Sequence, residues 1–171
     1  MADPFRLVMD GARALELLQR ARELGPKEPR WALKLGALHS LRQRMTRDPE
    51  ERAREAKGAV THLRAAWDLT GEKGRPALTV HGKPLSMVLA NAHFDAEDMD
   101  AARTFAALAL AGVDAKKPDG TVVYEMNHVL GRVALAGGDA DLAVRHLLAG
   151  CQVDAGRGAR GAATGRAFRE R

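Results

Sequence analysis

The sequence predicts an all-α fold: a helical-hairpin repeat array of about seven helices, paired antiparallel and stacked side by side. Three observations point there. Aromatic residues make up 4% of the 171 residues and isoleucine is absent, while alanine and leucine are abundant. A β-sandwich draws instead on valine, isoleucine and aromatics. Apolar residues recur at three- and four-residue intervals along most of the chain, the period of a helix with one buried face. Proline, acid and glycine punctuation separates those stretches. The length fits one domain with a real core.

Asp3-Pro4 reads as an N-cap with proline in the first turn. Leu7, Leu15, Leu18 and Leu24 then fall roughly on one face of a helix that Gly25-Pro26 ends. A second helix is expected over about Pro29–Thr46, striped by Trp31, Leu35, Leu38 and Leu41. Asp48-Pro49-Glu50-Glu51 is a restart, with a cap, a proline and two acids at the positive helix end. The third helix carries Ala56, Val60, Leu63 and Trp67 and stops near Thr70-Gly71. Residues 71–84, GEKGRPALTVHGKP, read as a loop with room for a short hairpin around His81-Gly82. Helices follow over about 84–94 and 98–112, and KKPDG at 116–120 has turn chemistry. NHVLGRVALAGGDADLAVRHLL, residues 127–148, reads as two amphipathic helices joined at Gly137-Gly138. Past Cys151 the apolar period fades. Residues 156–171, GRGARGAATGRAFRER, hold too little apolar content to bury and are expected to form a basic, disordered tail on a helical domain of residues 1–155.

The helix pairs resemble one another. Their first helices carry Leu35-Gly36, Leu89-Ala90 and Leu130-Gly131, followed three residues later by His39, His93 and Ala134. Their second helices carry Ala59/Leu63/Ala66, Ala102/Ala106/Ala109 and Ala143/Leu147/Gly150, and the N-terminal helix repeats that spacing with Ala14/Leu18/Ala21. From the small residue of the first helix to the first alanine of the second is 12 residues in two pairs and 23 in the pair containing RQRMTRDPEER. Small residues at fixed places let neighbouring helix axes approach to the short end of the usual 8–10 Å.

On these residues the chain resembles the tetratricopeptide repeat family, over about residues 10–155. The Ala14, Leu18, Ala21 and Pro26 spacing, the following Leu35-Gly36 and the Gly138-Asp139 turn all match its pattern. His39, His93 and Ala134 stand where the family carries an aromatic. The resemblance implies a right-handed array of helix pairs whose first helices line a concave groove. It implies a non-catalytic scaffold that holds a peptide or a partner helix in that groove. The groove residues expected are Leu33, Ala37 and Ser40, then Met87, Asn91 and Phe94, then His128, Arg132 and Leu135. Asparagine can pair with a peptide backbone and arginine with a carboxylate. Poorly capped array ends also suggest a homodimer through those ends.

Charge and motifs narrow the alternatives. The formal charge is +5, but residues 156–171 hold five arginines against one glutamate, leaving about +1 for the other 155 residues. The helical body therefore lacks the basic stripe of a nucleic-acid binder, and the alternative function, association with nucleic acid, rests on the tail alone. The single cysteine, Cys151, permits no internal disulfide and is expected to be a buried or half-buried spectator. Neither a secretory leader nor a membrane-length apolar run stands out, so a cytoplasmic protein without membrane contact is the expectation. His39, His62, His81, His93, His128 and His146 show no metal-ligand spacing and read as core-edge or surface residues. The acids Asp95, Glu97, Asp98 and Asp100 read as a helix N-terminus, not a cation loop. Gly82-Lys83 fails as a phosphate loop, since Ala77 stands where glycine is needed and Pro84 where serine or threonine is needed. No nucleophile elbow is present. Neither enzyme activity, a cofactor nor a metal is expected.

Overall fold

The computed structural model describes the backbone of residues 4–116 and 118–152, and side chains from residue 11 onward apart from Lys117. The Asp3 cap, the Leu7 side chain and the 156–171 tail lie outside the described residues. The fold is all-α. Helix α1 runs Pro4–Leu24, α2 Pro29–Met45, α3 Pro49–Gly74, α4 Leu85–Asp95, α5 Met99–Ala111 and α6 Gly120–Ala136. A seventh, α7, occupies residues 140–152. Successive helices pack on one another from α1 to α6, and α4 also touches α6.

Between α3 and α4 lie a 3-10 turn, Arg75–Ala77, and the strands β1, Thr79–Val80, and β2, Lys83–Pro84. The strands pair antiparallel, Thr79 with Pro84 and Val80 with Lys83. His81 (φ 50°) and Gly82 (φ 78°) both have the positive φ that a tight two-residue hairpin needs. The hairpin expected at His81-Gly82 is therefore formed. Gly71 (φ 69°, ψ 166°) interrupts α3 where Thr70-Gly71 was expected to stop it.

The core is built largely from small residues. Ala59, Leu63, Ala66, Leu89, Ala90, Ala102 and Ala106 are all fully buried. A Cβ placed on Gly36 would lie 2.5 Å from Leu63 Cγ, and one on Gly131 would lie 2.9 Å from Leu147 Cγ. The same glycine-against-leucine contact thus recurs in the first and last pairs. In the middle pair both positions are alanine, Ala90 and Ala106. The turns recur too. Asp98 N donates to His93 O and Asp139 N to Ala134 O, each at 2.9 Å. The residue before each aspartate, Glu97 (φ 62°) or Gly138 (φ 81°), is left-handed. Asp98 and Asp139 then cap the next helix by accepting from Ala101 N and Leu142 N.

The extra residues of RQRMTRDPEER lengthen the helices and not their connection. α2 runs to Met45 and α3 restarts at Pro49. The two arms are held by a buried carboxylate. Glu55, 7% exposed, accepts from Arg42 Nε at 2.8 Å and pairs with His39 Nδ1 at 2.6 Å. Two charge-assisted partners offset the desolvation of a buried acid, which would otherwise cost several kcal/mol.

Four expectations about single residues change. Leu24 is 90% and Leu41 49% exposed, and Ala32, Leu35 and Gly36 take the buried face of α2. α6 starts at Gly120 and not near Asn127, because Asp119 caps it by accepting from Thr121 N at 2.9 Å. That first stretch buries Val122 and Met126. Cys151 is exposed, not buried.

Candidate functional site

A groove of about 350 Å³ lies between α2 and α4, closed at one side by the β-hairpin. Each helix offers one stripe at i, i+3 and i+7: Ala37, Ser40 and Arg44 from α2, and Val88, Asn91 and Asp95 from α4. Stripes with that spacing stay on one helix face. Ala37, Val80, Val88 and Ala92 supply apolar lining. Lys83 of the hairpin binds Glu125 of α6 at 2.7 Å, tying the hairpin to that helix.

Polar groups in the groove retain bonding capacity. Asn91 Nδ2 donates to Met87 O at 3.2 Å, which leaves its Oδ1 to accept. Arg44 Nε donates to Ser40 O at 3.1 Å, leaving the other guanidinium nitrogens. Among the described residues neither Arg44 nor Asp95 forms an ion pair, and the Ser40 hydroxyl forms no hydrogen bond. The groove thus presents a hydroxyl, an amide oxygen, a cation and an anion around apolar lining.

Of the nine residues expected on this face, Ala37, Ser40 and Asn91 come together here. Met87 does not: it is fully buried in the core, and its neighbour Val88 takes the groove position. Phe94 is half-buried beneath Arg132, whose guanidinium carbon sits 4.1 Å from the ring centroid. Leu33 is half-buried against the core. His128 is exposed beside Tyr124, with ring centroids 6.3 Å apart, and Leu135 is 54% exposed. Arg44, the hairpin residues Val80, His81 and Lys83, and Asp95 were not expected. The side chain order of α4 is rotated by about one residue from the expected stripe, and no helical period places a hairpin beside a groove.

The histidines fall into structural networks. His62 Nδ1 accepts from Arg22, and its ring stacks on His39 at 5.2 Å. Burial, then the charge of Arg22, then His39 lower its pKa from the ordinary 6.5 to about 4. His93 Nδ1 bonds Asp98 Oδ2 at 3.0 Å, and its Nε2 is buried without a partner. Burial lowers its pKa as well, outweighing Asp98. Both rings hold protons less readily in the folded chain than in the unfolded one. The unfolded chain therefore takes up protons first, and stability present above about pH 6.5 falls as pH drops toward 4. The expected loss from His62 is on the order of 1 kcal/mol once solvent screening of a half-buried ring is allowed for. Urea midpoints at about pH 7 and about pH 4.5 check this, and His62→Gln should flatten part of the difference.

A second cavity of about 480 Å³ lies at the helix ends, beyond the hairpin. The last turns of α3 and α5 and the first turns of α4 and α6 form it. Among the described residues no cluster of three His, Cys, Asp or Glu side chains is arranged to hold a metal ion, and no helix is long and apolar enough to cross a membrane. Leu17 and Leu24 of α1 and Val144 and Leu148 of α7 are exposed aliphatics on the two end helices. No known protein-family pattern matches the chain, and no curated protein is similar to it.

Proposed function

We propose that this chain is a non-catalytic interaction module of the tetratricopeptide type, holding an extended peptide or partner helix in the α2–α4 groove. One observation carries the reading: paired i, i+3, i+7 stripes that leave a hydroxyl, an amide oxygen, a cation outside any ion pair and an anion with bonding capacity to spare around an apolar lining. A peptide backbone offers both the donors and the acceptors such a lining needs. The volume falls within the roughly 300–1,000 Å³ of ligand pockets. The two histidines with displaced ionisation, His62 and His93, line neither cavity, so they fit a stabilising role better than proton transfer.

Panning a random peptide library on the full chain tests the reading. Enriched peptides should bind in moderate salt, because the groove's charges nearly cancel. Asn91→Ala should weaken them about tenfold, the worth of one good hydrogen bond to a peptide amide. Ser40→Arg should abolish binding by filling the groove, and Thr104→Ala on the exposed face of α5 should leave it unchanged. Peptides indifferent to both groove variants would refute the assignment.

A further inference from the structure

The second cavity differs from the groove in charge. Glu72, Asp114 and Asp119 line it against Arg75 alone. Arg75 is already engaged: its guanidinium lies 5.0 Å from the Trp67 ring centroid, and its Nε donates to Trp67 O. Among the described residues none of the three carboxylates forms an ion pair. Between them lies an apolar patch of Trp67, Leu108 and Val113, and Leu108 is 47% exposed. The groove, by contrast, sets Arg44 and Lys83 against Asp95 and Glu125 and carries no excess of either sign.

The chain leaves the described structure near the end of α6 that borders this cavity. Gly150 lies against the first turns of α6, where an added Cβ would stand 3.4 Å from Tyr124 O. Asp119 and Val122, on the cavity wall, belong to that same end of α6. Residues 153–171 follow, with five arginines, two acids and Phe168. Extended, they span up to about 60 Å, ample to reach the cavity.

We infer that the cavity is the docking site of the chain's own segment 153–171, with arginines on Glu72, Asp114 and Asp119 and Phe168 on the Trp67–Leu108 patch. Charge sign, an aromatic for an apolar centre and the point of departure all agree. Arginine and carboxylate pair best where planar, two-point contact is available. The inference stands apart from the groove reading, since it concerns a different cavity and an occupant within the chain.

The test places a spin label on the full chain through Ala167→Cys in a Cys151→Ser background. The label should broaden amide resonances of Val113 and Val122 at low salt and leave those of Ser40 and Asn91 sharp. Replacing the five tail arginines by glutamine, which leaves the helical body untouched, should restore the signals. The triple change Glu72→Gln, Asp114→Asn and Asp119→Asn should do the same, with asparagine keeping the α6 cap. Absence of broadening, or broadening at the groove, overturns the inference. So does broadening carried between molecules when labelled, unenriched chain is mixed with unlabelled, isotope-enriched chain, because the occupant would then be a second copy.

Discussion

Phe105→Ala is expected to destabilise the chain by about 3–5 kcal/mol. Phe105 is 3% exposed and joins three helices. His93 of α4 stacks on it at 5.3 Å, Trp67 of α3 meets it edge-on at 5.3 Å, and the Arg64 guanidinium of α3 sits 5.3 Å from its centroid. Each aromatic contact adds about 0.5–1.5 kcal/mol beyond the apolar area it buries. Elsewhere the core is alanine-rich and has few large side chains able to move into a void, so relaxation will be slight. Thermal unfolding should show a midpoint lower by on the order of 10 °C. A second readout separates this contact from generic damage. Burial is what lowers the His93 pKa, so water entering the vacated space should raise it toward 6.5. An unmoved His93 titration in a folded Phe105→Ala chain would show that the ring does not shield that histidine.

The fold class, the helix starts other than that of α6, and the hairpin were legible because they depend on local chemistry. Asp48 and Asp98 accept from backbone N–H groups of the helices they open, as their position before each apolar run suggested. The contacts that join helices were less legible. Phe105 stands one residue from Ala106 and was hidden by the alanine pattern, although the same face period includes it. Glu55 lies one turn before the buried Ala59, but its partners His39 and Arg42 come from another helix. His93 pairs with Asp98, five residues on and beyond the end of α4, brought back by the left-handed turn at Glu97. The groove was half legible. Ala37, Ser40 and Asn91 followed from the helical period, but Val80, His81 and Lys83 arrive from a loop whose path no periodicity encodes.

Gly36→Ala is the second large effect expected, and its size depends on the residue opposite. The added Cβ would meet Leu63 Cγ at 2.5 Å, Leu63 Cδ2 at 2.7 Å and Leu63 N at 2.9 Å. Overpacking of this kind costs about 1–3 kcal/mol. Alanine's better helix propensity returns about 0.5–1 kcal/mol, leaving a net loss of about 1–2 kcal/mol. Gly131→Ala should cost less. There the contacts under 3.1 Å are to Leu147 side-chain atoms, and Leu147 is half-buried and able to swing aside. The decisive comparison is a double-mutant cycle by chemical denaturation. Leu63→Ala alone removes a fully buried leucine, at about 2–5 kcal/mol. With Leu63 already shortened, Gly36→Ala should be nearly neutral, because alanine facing alanine reproduces the Ala90 and Ala106 combination of the middle pair. The two changes should couple favourably by about 1–2 kcal/mol. The rescue will be incomplete, since the backbone nitrogen of residue 63 stays in place whatever its side chain. Additive losses would mean that the helix axes, not the Leu63 side chain, set the spacing at Gly36, and that small-against-large pairing does not govern how these helices seat.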